Sequence, residues 1–197
     1  MTRIGRVERK TKETEIELAI ELDGEGSWTG SSGIGFLDHM LELFARHSLV
    51  NLELRAEGDL HVDMHHTVED IGICLGTAID KALGDRKSIR RYGAMILPMD
   101  EARAEVVIDL GGRPYFVYDV SLPASKSKIG EFDVELLEEF FNALSIHARM
   151  NLHITLHAGS NLHHIAEAIF KAFARAFDIA KSPDERVKDV PSTKGCI

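Results

Sequence analysis

The chain has 197 residues, 44% hydrophobic and 28% charged, with a formal charge of −9. That is the composition of an ordinary globular domain, and the acidic excess argues against nucleic acid or an anionic membrane surface as a partner. Two cysteines, Cys74 in an apolar pattern and Cys196 in a polar tail, make no disulfide framework. No run approaches the roughly 18 apolar residues that span a bilayer. The opening "MTRIGRVERKTKETEIELAIELDG" lacks a signal-peptide core, so a cytoplasmic location is expected.

"IGRVERK" and "TEIELAIEL" read as strands; in the second, Ile16, Leu18, Ile20 and Leu22 alternate with polar residues. "DGEGSWTGSSGIG" reads as a loop and "FLDHMLELFARHS" as a helix. "LVNLELRAE" is a further strand. A helical stripe of Met64, Val68, Ile71, Leu75 and Ile79 then runs to a stop at Gly84. "MILPMDEARAEVVIDLGGRPYFVYDV" reads as strands with a tight turn at "GGRP", and "SLPASKSKIGEFD" as a linker-like loop. "VELLEEFFNALSIHAR" is a helix, "MNLHITLHA" a strand and "NLHHIAEAIFKAFARAFDIA" a long helix.

Both halves thus follow a β-β-α-β-α pattern, and their sequences echo each other. "HSLVNLEL" (47–54) aligns with "HARMNLHI" (147–154), and "HHTVE" (65–69) with "HHIAE" (163–167). An internal duplication explains this. The expected organisation is a half-domain over 1–92, a second over 93–180 and a tail over 181–197. Neither half buries its apolar faces alone, which predicts an α+β fold with helices sandwiched between two sheets.

The repeated His-His-x-x-Glu carries the chemistry. Residues four apart on a helix share a face at about 6 Å, so His65 with Glu69, and His163 with Glu167, can each converge on one metal ion. His66 and His164 point roughly 100° further round and can reach a second ion. Nitrogen and carboxylate donors without thiolate suit Mn²⁺, Fe²⁺, Co²⁺ or Zn²⁺. His39 and His153 are both candidates for further ligands, each left open by spacing because they do not correspond under the repeat. Gly72 and Gly76 fit either close approach to a ligand or plain helix packing. A basic run, "GDRKSIRRYG", Arg113 after two glycines, Lys171 on the His163–Glu167 face, and Ser192, Thr193 and Lys194 in the tail are candidates for a phosphate cradle.

"GFLDHML", "DMHHTVEDIG", "PMDEA", "GGRPY", "NLHHIAEAIFKAFARA" and "PSTKG" occur in the order found in imidazoleglycerol-phosphate dehydratases, and nearly the whole chain resembles that family. The resemblance implies dehydration of imidazole glycerol phosphate to imidazole acetol phosphate in histidine biosynthesis. It also implies a helical layer between two four-stranded sheets, two Mn²⁺ per active site, and trimers assembled into a 24-subunit cage with sites at subunit interfaces. The family's ligand pattern falls on His39, His65, His66, Glu69, His153, His163, His164 and Glu167. Its phosphate and substrate contacts fall on Arg91, Arg113, Lys171, Ser192 and Lys194, and the acidic residue of its "KET" motif on Glu13. Leu43 stands where some members carry Gln, and the phosphatase domain fused to some bacterial members is not expected.

The implied chemistry is that of an imidazole held as imidazolate by an ion on each ring nitrogen. Its electrons expel the adjacent hydroxyl, giving a diazafulvene-like species that loses a C–H proton to an enol and then a ketone. Glu13, assisted by Glu69 and Glu167, is the expected proton-transfer group. A binuclear hydrolase and a metal-storage module are the competing readings of the same donors.

Overall fold

In a computed structural model, residues 2–123 and 127–194 are described; Cys196 and the Gly195 that closes "PSTKG" lie outside them. The first half comprises β1 (Ile4–Lys10), β2 (Thr14–Glu21), β3 (Trp28–Ser31), α1 (Gly35–Ser48), β4 (Asn51–Gly58) and α2 (His65–Leu83). The second comprises β5 (Tyr92–Met99), β6 (Ala102–Asp109), β7 (Tyr115–Asp119), a short hairpin of β8 (Lys128–Ile129) and β9 (Phe132–Asp133), α3 (Leu136–His147), β10 (Asn151–Ala158) and α4 (Leu162–Lys181).

The sheets have orders β1-β2-β4-β3 and β5-β6-β10-β7, one the copy of the other. β3 is a strand where a loop was expected, and β7 falls within the stretch read as strands after "GGRP". Each runs parallel to its neighbour, β4 or β10, and reaches it through a helix. Along β2, Ile16, Leu18 and Ile20 face inward, as the alternation requires, and Glu15 and Glu17 face solvent.

The helices interlock the halves. α2 lies on the first sheet and α4 on the second, but α1 packs against α4 and α3 against α2. Each half therefore covers the other's long helix, and the apolar faces merge into one core. The repeat extends to single contacts. A Cβ at Gly5 would lie 1.9 Å from the Ala78 carbonyl oxygen, and one at Gly93 1.9 Å from that of Ala176. Gly72 and Gly76 face Phe140 and Leu144 of α3, so helix packing, and not access for a ligand, accounts for them.

Candidate active site

Both His-His-x-x-Glu segments open their helices, and an Asx side chain two residues earlier fixes each start. Asp63 Oδ1 accepts the His65 N–H at 2.8 Å, and Asn161 Oδ1 accepts that of His163 at 2.9 Å. In both, the paired rings stand perpendicular, with centroids 6.3 and 6.4 Å apart. The adjacent histidines therefore aim in different directions, as helical geometry demands.

The two segments differ in what surrounds them. The packing of α1 on α4 delivers His39 to the second segment, where His39 Nε2 and His163 Nε2 lie 3.0 and 3.2 Å from Glu167 Oε1. The donor atoms of these three residues fall within 4.8 Å of one another. Lys171 Nζ donates to Glu167 Oε2 at 2.6 Å and also touches Met99 sulfur. Burial works to raise the Glu167 carboxyl, but the hydrogen bonds from Lys171 and His39 and the lysine's charge hold it at about 2. The Glu167 carboxylate is thus ionised across the physiological range, paired with the Lys171 ammonium. Phe36 packs edge-on against the His163 ring and is itself covered by Phe132 of the β8–β9 hairpin. In the first segment, His65 Nε2 and Glu69 Oε2 are 3.8 Å apart, and the Glu69 side chain is 46% exposed against 9% for Glu167.

His66 and His164 each turn Nδ1 to a carboxylate that sequence reasoning did not single out. Asp59 accepts from His66 Nδ1 at 3.1 Å and Glu101 from His164 Nδ1 at 2.7 Å. A carboxylate only accepts, so the proton of each neutral ring is fixed on Nδ1 and the Nε2 lone pair is left for a ligand. These hydrogen bonds raise both histidine pKa values. Glu101 also accepts the backbone N–H groups of Ser160 and Asn161 at the start of α4. The His164 hydrogen bond and then those amides hold its carboxyl at about 2. Glu101 stands inside the quoted "PMDEA"; Asp59 has no comparable signal, since its partner is reached only by folding.

His153 points away from the helices on the outer face of the second sheet, between inward Leu152 and Ile154, with the Tyr115 ring beside it. Among the described residues, His39, His163 and Glu167 form the one three-donor group, and the remaining expected ligands are apart from it.

The expected anion contacts also divide. Arg91, Arg113, Ser192, Thr193 and Lys194 line a cavity of about 480 Å³ with Tyr92, Gly111 and Pro191, whereas Lys171 belongs to the Glu167 cluster. Arg91 sits at φ 72°. Its Nε and Nη2 grip Asp109 at 2.7 and 3.0 Å, and its Nη1 donates to the Pro191 carbonyl at 2.7 Å. The guanidinium thereby ties the tail to the sheet and keeps two of its five N–H donors free of these partners. A Cβ at Gly111 would press on Arg91 Nη2 at 2.8 Å, which is why the turn carries glycine there. Asn151 and Arg149 hold the Arg113 and Gly112 carbonyls, aiming the turn. Glu13 occupies the β1–β2 turn. Its backbone carbonyl accepts the Asp59 N–H at 3.1 Å, and its charge contributes to the raised pKa of His66.

These features define a class: a duplicated α+β protein with a histidine–carboxylate group suited to a metal ion and a cationic, hydroxyl-lined cavity suited to an anion. That is the equipment of an enzyme rather than of a nucleic-acid or membrane binder, and no described helix is long and apolar enough to cross a membrane. A profile of the imidazoleglycerol-phosphate dehydratase family matches residues 32–177. The chain is 56% identical to that dehydratase of Geobacter sulfurreducens over 99% of both chains, and 54% identical to the one of Geobacillus kaustophilus over the full length of both. The crystal structure of the Staphylococcus aureus dehydratase superposes with a TM-score of 0.83 at 44% identity, covering 91% of this chain and 99% of that one. That of Pyrococcus furiosus, in complex with (S)-C348, gives 0.82 at 37%, covering 97% and 100%. The chain belongs to the imidazoleglycerol-phosphate dehydratase family, and it is a hydro-lyase.

Proposed function

We propose that the chain converts imidazole glycerol phosphate to imidazole acetol phosphate in histidine biosynthesis, using two divalent ions, Mn²⁺ by the family pattern, with Fe, Co or Zn compatible with the same donors. The observation that carries this reading is the convergence of His39, His163 and Glu167 within 4.8 Å in a member of the dehydratase family. The carboxylate-held Nδ1 atoms of His66 and His164 fit the same purpose, since ligating imidazoles normally carry such an outer partner. His65, Glu69 and His153 are the other proposed ligands.

When bound, the ions would supply Lewis acidity toward the substrate's imidazole, and His39, His65, His66, Glu69, His153, His163, His164 and Glu167 are the residues that would hold them. The protein supplies the rest. Arg91, Arg113, Ser192, Thr193 and Lys194 bind the phosphate, and Lys171 orients the glycerol chain beside Glu167, so remote binding energy is used to position the reacting carbons. Glu13 takes the C–H proton next to the carbon that loses its hydroxyl. The C–O bond breaks, the departing hydroxide receives the proton taken up by Glu13 and leaves as water, and the resulting enol becomes the ketone. Glu69 and Glu167 act in this scheme as ligand carboxylates. Because His65 with Glu69, and His153, stand apart from the Glu167 cluster, complete sites require several copies of the chain, in line with a homo-oligomer of trimers.

The test is chelator-stripped protein assayed with imidazole glycerol phosphate, with and without Mn²⁺. Imidazole acetol phosphate formed only with metal supports the reading. Free phosphate as the product would replace it with a hydrolase.

A further inference from the structure

The two halves bury different chemistry at equivalent places. In the sheets, Ile20 opposes Leu52 and Ile108 opposes Leu152, so β2 maps onto β6 with Glu13 at Glu101 and Thr14 at Ala102. Arg9 opposes Ile16 and Leu97 opposes Ala104, which puts Arg9 at Leu97. In the helices His65 maps to His163, and Asp70 therefore to Ala168. The second half fills this place with Leu97, Ala102 and Ala168, the two alanines buried in the core and the partly buried leucine packed against it. The first half fills it with Arg9, Thr14 and Asp70. There the Thr14 hydroxyl donates to Asp70 Oδ2 and Arg9 Nη2 pairs with Asp70 Oδ1 at 2.9 Å. Thr14 is 4% and Asp70 6% exposed, and Arg9 Nε is buried without a partner among the described residues.

Asp70 is a buried carboxylate whose guanidinium partner Arg9 keeps 37% of its side chain exposed. Taking a carboxylate out of water for one such pair stabilises a fold no better than the apolar residues that could replace it, and the duplicate half carries apolar residues at the same place. The polar trio therefore calls for another purpose, and its position supplies one. Thr14 follows Glu13 directly, and Asp70 follows Glu69. Thr11 Oγ1 accepts the N–H groups of both Glu13 and Thr14, at 3.0 and 2.9 Å. The trio thus bolts the turn that carries Glu13 to the helix that carries His65 and Glu69. The equivalent glutamate, Glu101, is held by its own carboxylate, through His164 and two backbone amides. Among the described residues nothing hydrogen-bonds the Glu13 carboxylate. Glu13 is left free at its tip and has to be fixed from below.

We propose that Arg9, Thr14 and Asp70 are positioning residues for Glu13, setting its carboxylate against the metal-ligand helix. This rests on the reading of Glu13 as the proton-transfer group. The experiment transplants the second half's own trio into the first, as R9L/T14A/D70A in the full-length protein. E13Q, the combination of all four substitutions, and the single variants T14V and T14S are made alongside. The triple variant is expected to keep its melting temperature and metal content and to hold KM within a few-fold, while kcat falls about 100-fold, the scale of a misplaced catalytic group. Added to E13Q it should cost nothing further, because both act through one carboxylate. T14S should retain turnover and T14V lose it, a comparison that stands even if the triple variant fails to fold. Wild-type kcat in the triple variant or T14V, or a triple effect that multiplies fully with E13Q, overturns the positioning role while leaving Glu13 in place. Wild-type turnover in E13Q itself removes the underlying reading and this one with it.

Discussion

At the scale of single residues, the duplication separates two roles that a glutamate can have in the same turn. Glu101 is saturated by His164, Ser160 and Asn161; its counterpart Glu13 has ceded the histidine to Asp59. Glu101→Gln removes the charge that orients His164 and turns one of its two acceptor oxygens into an NH2 donor, while an amide oxygen remains to receive the N–H groups at the start of α4. Such outer-partner losses cost about 10–100-fold in metal affinity, so competition with a chelator should detect weakened binding in E101Q, and unchanged affinity would reduce Glu101 to a helix cap. Much of this site is legible in sequence. The paired His-His-x-x-Glu follows from helical spacing alone, and the family pattern adds His39 and His153. The partners of those histidines are not legible. Asp59 and His66 meet through a loop, Glu101 and His164 across 63 positions of chain, and Asp70 and Thr14 across 56, and no local periodicity links such pairs.

At the scale of elements, the fold rests on close approaches that allow no side chain. A Cβ at Gly5 or Gly93 would meet a helix carbonyl oxygen at 1.9 Å, and a backbone atom in a helix cannot yield as a flexible side chain can. Alanine in a strand normally gains about 0.5–1 kcal/mol over glycine through chain entropy. Here overpacking, typically ~1–3 kcal/mol and more against backbone, should win, so G5A and G93A should both lower the urea midpoint. Equal or raised midpoints would mean that the strands shift freely. Cys74, on the buried face of α2, gives a pH test. Burial pushes its thiol up to about 12 from an ordinary value near 9. The folded state thus holds its proton more tightly than the unfolded one, and its stabilising contribution is complete below pH 9 and lost between 9 and about 12. Urea titrations of wild type and C74A should diverge over that window, and parallel curves would show that the thiol ionises in place. One strand that the sequence reads as a loop has a physical explanation. β3 is four residues of a Gly/Ser segment, largely exposed at a sheet edge, so it lacks the alternation that marks β2. It is a strand because β4 offers a partner, and the neighbour Leu54 leaves room only for Gly30.

At the scale of the whole molecule, the interlocked helices explain why one chain is a single body, while the expected metal donors other than His39, His163 and Glu167 form no further three-donor group among the described residues. α1 carries His39 to α4 because each half's first helix lies on the other half's second. The same exchange leaves His65 and Glu69 open, and His153 lies on the outer face of its sheet. If the proposed site draws Glu167 from one copy and His153 from another, E167Q and H153A remove opposite halves. Each should be inactive alone. Mixed in equal amounts and reassembled from dissociated subunits, half of the Glu167 clusters and half of the His153 faces remain intact. Random pairing then restores about a quarter of wild-type activity, the arithmetic of a site shared between symmetric subunits. The measurement is kcat per total chain after reassembly, with size-exclusion chromatography confirming that oligomers have re-formed. Activity that stays at the level of the separate variants in fully reassembled protein would place both residues in the same copy's site. It would require His153 to leave the outer sheet face on which it stands.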